Sequence, residues 1–134
     1  MQIQAAGGQG PKVLIIDDDP FIRIALCGIL RKMNCRTLVA DEGVKGVALF
    51  KSERPDVVIT DLLMPYKEGF ETITEIRAID RDVRIVAMSG GGAVRNLAFL
   101  EKACKVGASR TLPKPFTPRH VREALTAPFK AMVH

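Results

Sequence analysis

The chain has 134 residues, 47% hydrophobic and 26% charged, with a formal net charge of +5; this length suits one globular domain, and a second folded domain is not expected. Cys27, Cys35 and Cys104 are odd in number and lack CxxC or CxxH spacing, which argues against a disulfide framework or a zinc site. No apolar run approaches the roughly 20 residues that span a bilayer, and Met1 to Gly10 lacks the basic start and apolar stretch of a signal peptide, so a cytoplasmic protein with reduced thiols is expected.

Residues 1–10, glycine- and glutamine-rich, read as a flexible lead-in, 11–128 as the folded domain and 129–134 as a tail. Val13 to Ile16 forms a first strand ending in Asp17-Asp18. Asp19-Pro20 then reads as an N-cap followed by proline at the first helical position, with Ile22, Leu26, Ile29, Leu30 and Met33 at helical spacing to about Asn34. A brief strand over Thr37 to Ala40 precedes a short helix through Val44, Val47, Ala48 and Phe50, closed before Pro55. Val57 to Thr60 is an apolar strand ending on Asp61. Phe70, Ile73, Ile76 and Ile79 mark a helix from Gly69 to Asp80, and Ile85 to Met88 is a strand ending on Ser89. Gly90-Gly91-Gly92 opens a loop before a helix from about Val94 to Lys105 that Gly107 closes. Ser109 to Leu112 forms the fifth strand, followed by Lys114, and Thr117-Pro118 starts a last helix through Val121 and Leu125 that Pro128 ends or kinks.

Five strands alternating strictly with five helices predict a parallel sheet covered on both faces, because each parallel crossover needs a long connection. The expected fold is a flavodoxin-like, doubly wound (βα)5 three-layer sandwich with strand order 2-1-3-4-5. Its apolar third strand is central, and its switch point lies between the first and third strands. Ligands in such sheets gather beyond the carboxyl ends of the strands. Four strands here stop on residues suited to a phosphoryl group: Asp17 and Asp18, Asp61, Ser89 and Lys114.

Crowded carboxylates need a cation or a shared proton, and an all-oxygen acidic cluster favours Mg²⁺. A carboxylate beside such an ion can attack phosphorus, a lysine can pair with a phosphoryl oxygen, and a serine hydroxyl can donate to one. Taken singly, each residue also has an ordinary loop or turn role. Their joint occurrence at four strand ends is what points to a site.

Asp17-Asp18, Asp61-Leu62-Leu63-Met64-Pro65 with Gly69 downstream, Met88-Ser89-Gly90 and Lys114-Pro115-Phe116 together resemble the receiver domains of two-component response regulators, over about Lys12 to Ala127. The resemblance implies that Asp61 accepts a phosphoryl group from a phosphohistidine on a histidine kinase or histidine phosphotransfer protein. It further implies that Asp18 and, largely through water, Asp17 bind Mg²⁺ together with Asp61 and the Leu63 carbonyl, with Mn²⁺ as a substitute. Ser89 takes the family's switch position and Lys114 its lysine position, before a cis proline bond. The chain is thus expected to be a stand-alone, chemotaxis-regulator-like receiver that signals through protein contacts, with no catalysis beyond self-phosphotransfer and self-dephosphorylation. The alternatives are a relay intermediate passing phosphate to a phosphotransfer histidine and a small phosphatase with Asp61 as nucleophile. The phosphatase lacks a second acid at Leu63, and a flavin carrier would have its phosphate repelled by Asp17 and Asp18.

Two features, at three positions, depart from the family. Thr111 stands where an aromatic switch residue is common, so the expected signalling route runs through the 90–92 loop and the helix after it. Leu63 and Gly91 offer no side chain to orient water, which predicts slow self-hydrolysis. From Val83 to His134, nine Lys or Arg residues face only Glu101 and Glu123, a balance of +7 that leaves −2 for the rest. This predicts a basic face on the last two helices and fifth strand that suits an acidic downstream protein target, with neither a membrane nor a specific nucleic-acid partner expected.

Overall fold

The computed structural model describes residues 3–4, 10–62, 69–89 and 97–126. The elements in chain order are β1 (Ile3–Gln4), β2 (Lys12–Ile16), α1 (Pro20–Lys32), β3 (Arg36–Ala40), α2 (Gly43–Glu53), β4 (Val57–Asp61), α3 (Gly69–Ile79), β5 (Arg84–Ser89), α4 (Leu97–Val106), β6 (Arg110–Pro113) and α5 (Pro118–Thr126). One sheet runs β1-β3-β2-β4-β5-β6. Its five parallel strands therefore stand in the order 2-1-3-4-5 expected from the sequence, with β4 in the middle.

The sheet is buried on both faces, which explains why its strands are unbroken apolar runs rather than alternating ones. Leu14, Ile16, Val58 and Ile85 join Val47, Phe50, Phe70, Ile73 and Ile76 under α2 and α3. Val13, Ile15, Ile59 and Val86 face the other way, onto Leu26 and Leu30 of α1 and Val121 of α5. All five residues of β4 are buried.

Local signals set the helix limits. The Asp19 side chain accepts from the Phe21 amide at 2.9 Å with Pro20 at the first helical position, as expected. α1 ends where Asn34 takes a left-handed φ of 67°, letting the Cys35 amide reach Leu30 O. α4 ends the same way at Gly107, φ 127°. At α5 the His120 amide donates to Thr117 Oγ1 while the Thr117 amide donates to His120 Nδ1, both at 3.1 Å. His120 thus fills the reciprocal place that glutamate usually takes in a capping box.

Several expectations need correction. Val44 and Ala48 lie on the exposed side of α2, whose buried face is Gly43, Gly46, Val47 and Phe50. Cys27 and Cys104 are half-buried and Cys35 is buried, all three as free thiols. The lead-in contains a strand of its own: β1 pairs antiparallel with β3. The start of the helix expected at Val94, the 90–92 loop, Pro128 and the 129–134 tail lie outside the described residues.

Candidate functional site

The switch point falls between β2 and β4, and the acids lie at their carboxyl ends. Asp17 is fully buried and held from three sides. Its amide donates to Ala40 O of β3 at 3.1 Å, its carbonyl accepts from Arg23 Nη1 at 2.7 Å, and its Oδ1 accepts from the Asp19 amide at 2.8 Å. Asp19 thus ties the first turn of α1 to the acidic pair. Asp61 is 6% exposed, and its Oδ1 accepts from the Leu62 amide at 2.9 Å. Exposed Asp18 completes a cluster in which one carboxylate oxygen from each of the three residues lies within 4.8 Å of the others.

Lys114 reaches this cluster from the end of β6. Its Nζ donates to Asp17 Oδ2 at 2.9 Å and lies 3.4 Å from Asp61 Oδ1. Its amide donates to Ser89 O at 3.2 Å, which ties β6 to the end of β5, and the Lys114–Pro115 bond is cis. Ser89 is half-buried at the end of β5, one residue beyond Met88, the register partner of Asp61. Asp17, Asp18, Asp61 and Lys114 are therefore brought together, with Ser89 at the neighbouring strand end. Leu63, Gly90, Gly91 and Gly92 lie outside the described residues.

The electrostatics show a cluster short of positive charge. Burial, with the charge of Asp17 adding to it, raises the Asp61 carboxyl to about 6 despite Lys114. Burial also raises Asp17, partly offset by the Asp19 amide and by Lys114. For Lys114, burial works against the ammonium, but the hydrogen bond to Asp17 and the charges of Asp61 and Asp17 outweigh it and its pKa is raised. One ammonium serving two buried carboxylates leaves net negative charge where water is scarce. An all-oxygen donor set with two buried members and one exposed fits a hard divalent cation that keeps some of its waters.

Two contributors owe their place to contacts that exist only in the folded chain. Arg23, in the first turns of α1, reaches back to the Asp17 carbonyl six residues before it. Gly69 begins α3 against the acceptor strand: a Cβ there would lie 2.1 Å from Asp61 O and 2.6 Å from Leu62 Cα, so no side chain fits. Its amide donates to Leu62 O at 3.0 Å, which closes the chain between β4 and α3.

Among the described residues of the stretch expected to be basic, Lys102, Lys105, Arg119 and Arg122 are exposed and Arg84 and Arg110 are half-buried. Lys102 of α4 sits 4.5 Å over the Phe70 ring, and Arg84 donates to Ala124 O at 2.9 Å. Arg119 lies 3.5 Å from Glu123.

The family model for the response regulator receiver domain matches residues 13–126. The chain belongs to that family. This receiver domain is 37% identical to the chemotaxis protein CheY of Thermotoga maritima over 117 residues, covering 87% of this chain and 95% of that protein. It is 31% identical to the sporulation initiation phosphotransferase F of Bacillus subtilis over 114 residues, covering 85% and 90%. Among solved structures, the chemotaxis protein CheY4 of Vibrio cholerae superposes with a TM-score of 0.77 at 28% identity, covering 85% of this chain and 94% of that one. Receiver domains of this type are signalling modules that interact with histidine kinases or phosphotransfer proteins. No helix among the described residues is long and apolar enough to cross a membrane.

Proposed function

We propose that this receiver domain works as a single-domain response regulator whose Asp61 takes a phosphoryl group from a phosphohistidine on a histidine kinase or histidine phosphotransfer protein. The observation that carries this reading is Lys114 Nζ, set between Asp17 at 2.9 Å and Asp61 at 3.4 Å within a cluster of three carboxylates. In the transfer an Asp61 oxygen bonds to phosphorus as the N–P bond breaks, and the departing imidazole nitrogen keeps the electron pair and takes a proton. With a pKa of about 6, Asp61 is mainly ionised at pH 7, so the nucleophilic form is at hand.

Lys114 supplies a point charge to a phosphoryl oxygen, and Ser89 supplies its hydroxyl from the adjacent strand. Asp17, Asp18, Asp61 and the Leu63 carbonyl would hold Mg²⁺, or Mn²⁺ in its place, which when bound offsets the negative charge of carboxylates and phosphoryl oxygens. The phosphorylated form then signals by binding another protein, and the exposed cations of α4 and α5 favour an acidic target. A second reading, onward transfer to a phosphotransfer histidine, is favoured by similarity to the sporulation phosphotransferase.

The test is incubation with acetyl phosphate and Mg²⁺ followed by intact mass measurement. The wild type is expected to gain about 80 Da, the mass of a phosphoryl group, and Asp61→Asn to gain nothing. An adduct that persists on Asp61→Asn, or a wild type that never forms one, rejects Asp61 as the acceptor.

A further inference from the structure

The three acids of the cluster are not equally held. Asp17 is anchored through its amide, its carbonyl and both carboxylate oxygens, and Asp61 through the Leu62 amide and Lys114. Among the described residues, no hydrogen bond or ion pair ties the exposed Asp18 carboxylate, yet one of its oxygens lies within 4.8 Å of those of Asp17 and Asp61. The backbone must therefore place it. Peptide units are planar, so the two planes that flank the Asp18 Cα set its φ and ψ and with them the direction of its Cα–Cβ bond.

Both planes are held. The one after Asp18 is fixed by the Asp19 amide, which donates to Asp17 Oδ1 at 2.8 Å, a bond made within the acidic segment itself. The one before it is fixed by the Asp17 carbonyl, which accepts from Arg23 Nη1 at 2.7 Å, and this hold comes from α1. There the Arg23 amide also donates to Asp19 O at 3.1 Å, so Arg23 grips the segment on either side of Asp18. The helix that carries it is itself fixed in the core by Leu26 and Leu30.

We propose that Arg23 is a positioning residue for cation binding: through the Asp17 carbonyl it presets the Asp17–Asp18 peptide plane and so keeps the exposed Asp18 carboxylate ready for a divalent ion. This rests on the reading of the three acids as a divalent-cation site. The guanidinium does not act by its charge. Burial moves the Asp17 and Asp61 carboxyls most, and the charged groups that act on them are Lys114, Asp18 and Asp17, with Arg23 not among them. A donor at 2.7 Å is at the short end for nitrogen and oxygen, as a charge-assisted bond to a carbonyl should be. Without that bond the peptide plane is free to turn, and the ion must order Asp18 as it binds, which weakens affinity. Asp17 and Asp61 keep their other anchors, so the loss falls on Asp18.

The experiment is isothermal titration of the full chain with Mg²⁺ alone, for the wild type, Arg23→Met, Asp18→Asn and the double variant, with circular dichroism to verify the fold. Arg23→Met keeps the stem and loses the donors, and is expected to bind Mg²⁺ about tenfold more weakly, the low end for groups that orient a metal ligand. Should it not fold, Arg23→Gln takes its place. Added to Asp18→Asn, the same change is expected to weaken binding by no more than about twofold further, because its effect passes through Asp18. Arg23→Lys offers one donor to the one carbonyl and is expected to bind within about threefold of the wild type. A full tenfold loss on top of Asp18→Asn overturns the proposal, since a general defect of the fold would act in both backgrounds alike. So does an Arg23→Met protein that binds as the wild type does, or an Arg23→Lys protein as weak as Arg23→Met. Those outcomes leave the cation site standing, whereas a wild type that takes up no Mg²⁺ overturns both.

Discussion

The two ends of this sheet handle buried charge in opposite ways. Beyond the carboxyl ends of the strands, Asp17 and Asp61 share the single ammonium of Lys114, and burial raises both carboxyls. At the other end Arg77 of α3 is satisfied by the chain itself. Its Nε and Nη2 donate to Gly107 O at 3.1 and 2.6 Å, and its Nη1 donates to Val83 O at 2.6 Å and to Arg81 O at 3.1 Å. One guanidinium thus ties the end of α3, the approach to β5 and the end of α4 into a clasp, with Ser109 Oγ 3.4 Å from Nη2. Stability is invested where polar groups are matched, and chemistry is reserved where they are not.

The sharpest way to break this contrast is to remove the clasp. Arg77→Met keeps most of the aliphatic stem but strands the Gly107 and Val83 carbonyls. Each unpaired buried acceptor costs on the order of 1–3 kcal/mol, and these carbonyls are only part-buried, so a loss of about 2 kcal/mol is expected in urea unfolding, with Mg²⁺ affinity little changed. If the variant kept its stability and lost Mg²⁺ binding, the two ends would not be separate.

The same contrast decides how much of the molecule could be read from its residues. The strands and their order were legible because burial on both faces imposes unbroken apolar runs. The acids and Lys114 were legible because each ends such a run. Asp19-Pro20 and Thr117-Pro118 marked helix starts through capping chemistry that is local. Arg77 was not legible, since its acceptors are backbone carbonyls 3 to 30 residues away that leave no trace in side-chain identity. Gly69 drew notice as part of a motif, but its physical reason, the approach of α3 to Asp61 O, exists only once the sheet is assembled. β1 escaped because two residues carry no periodicity.

A smaller effect sharpens the acidic end. The folded Asp61 carboxyl titrates near 6, against an ordinary value of 3.8, so between these values the folded state holds the proton more tightly than the unfolded state does. The sign is therefore the reverse of a salt-bridged acid. In Mg²⁺-free buffer this contribution is fully present below pH 3.8 and is lost as the pH rises through 6, with a ceiling of about 3 kcal/mol for roughly two units. Asp61→Asn is expected to flatten this decline and to be more stable than the wild type at pH 7 without Mg²⁺, as read by denaturant midpoints at several pH values. An Asp61→Asn protein less stable than the wild type under those conditions would mean that Lys114 fully neutralises the cluster.

The smallest expected difference separates the exposed acid from the buried ones. Asp18 reaches the cluster from solvent, so removing its charge leaves the Lys114 contacts to Asp17 and Asp61 intact and changes metal-free stability little. Its contribution is expected only when a cation is present. A ligand that binds only the folded state stabilises by RT ln(1 + [L]/Kd), about 2.7 kcal/mol at a hundredfold excess over Kd. At fixed Mg²⁺, a tenfold weaker Kd in Asp18→Asn would remove about 1.4 kcal/mol of that gain. Thermal melts with and without Mg²⁺ should therefore show nearly equal midpoints for the two metal-free proteins and a smaller Mg²⁺-induced rise in the variant. Equal rises would remove Asp18 from the cation site and leave the buried pair to hold the ion, whereas a large change without Mg²⁺ would make Asp18 part of the fold rather than of the site.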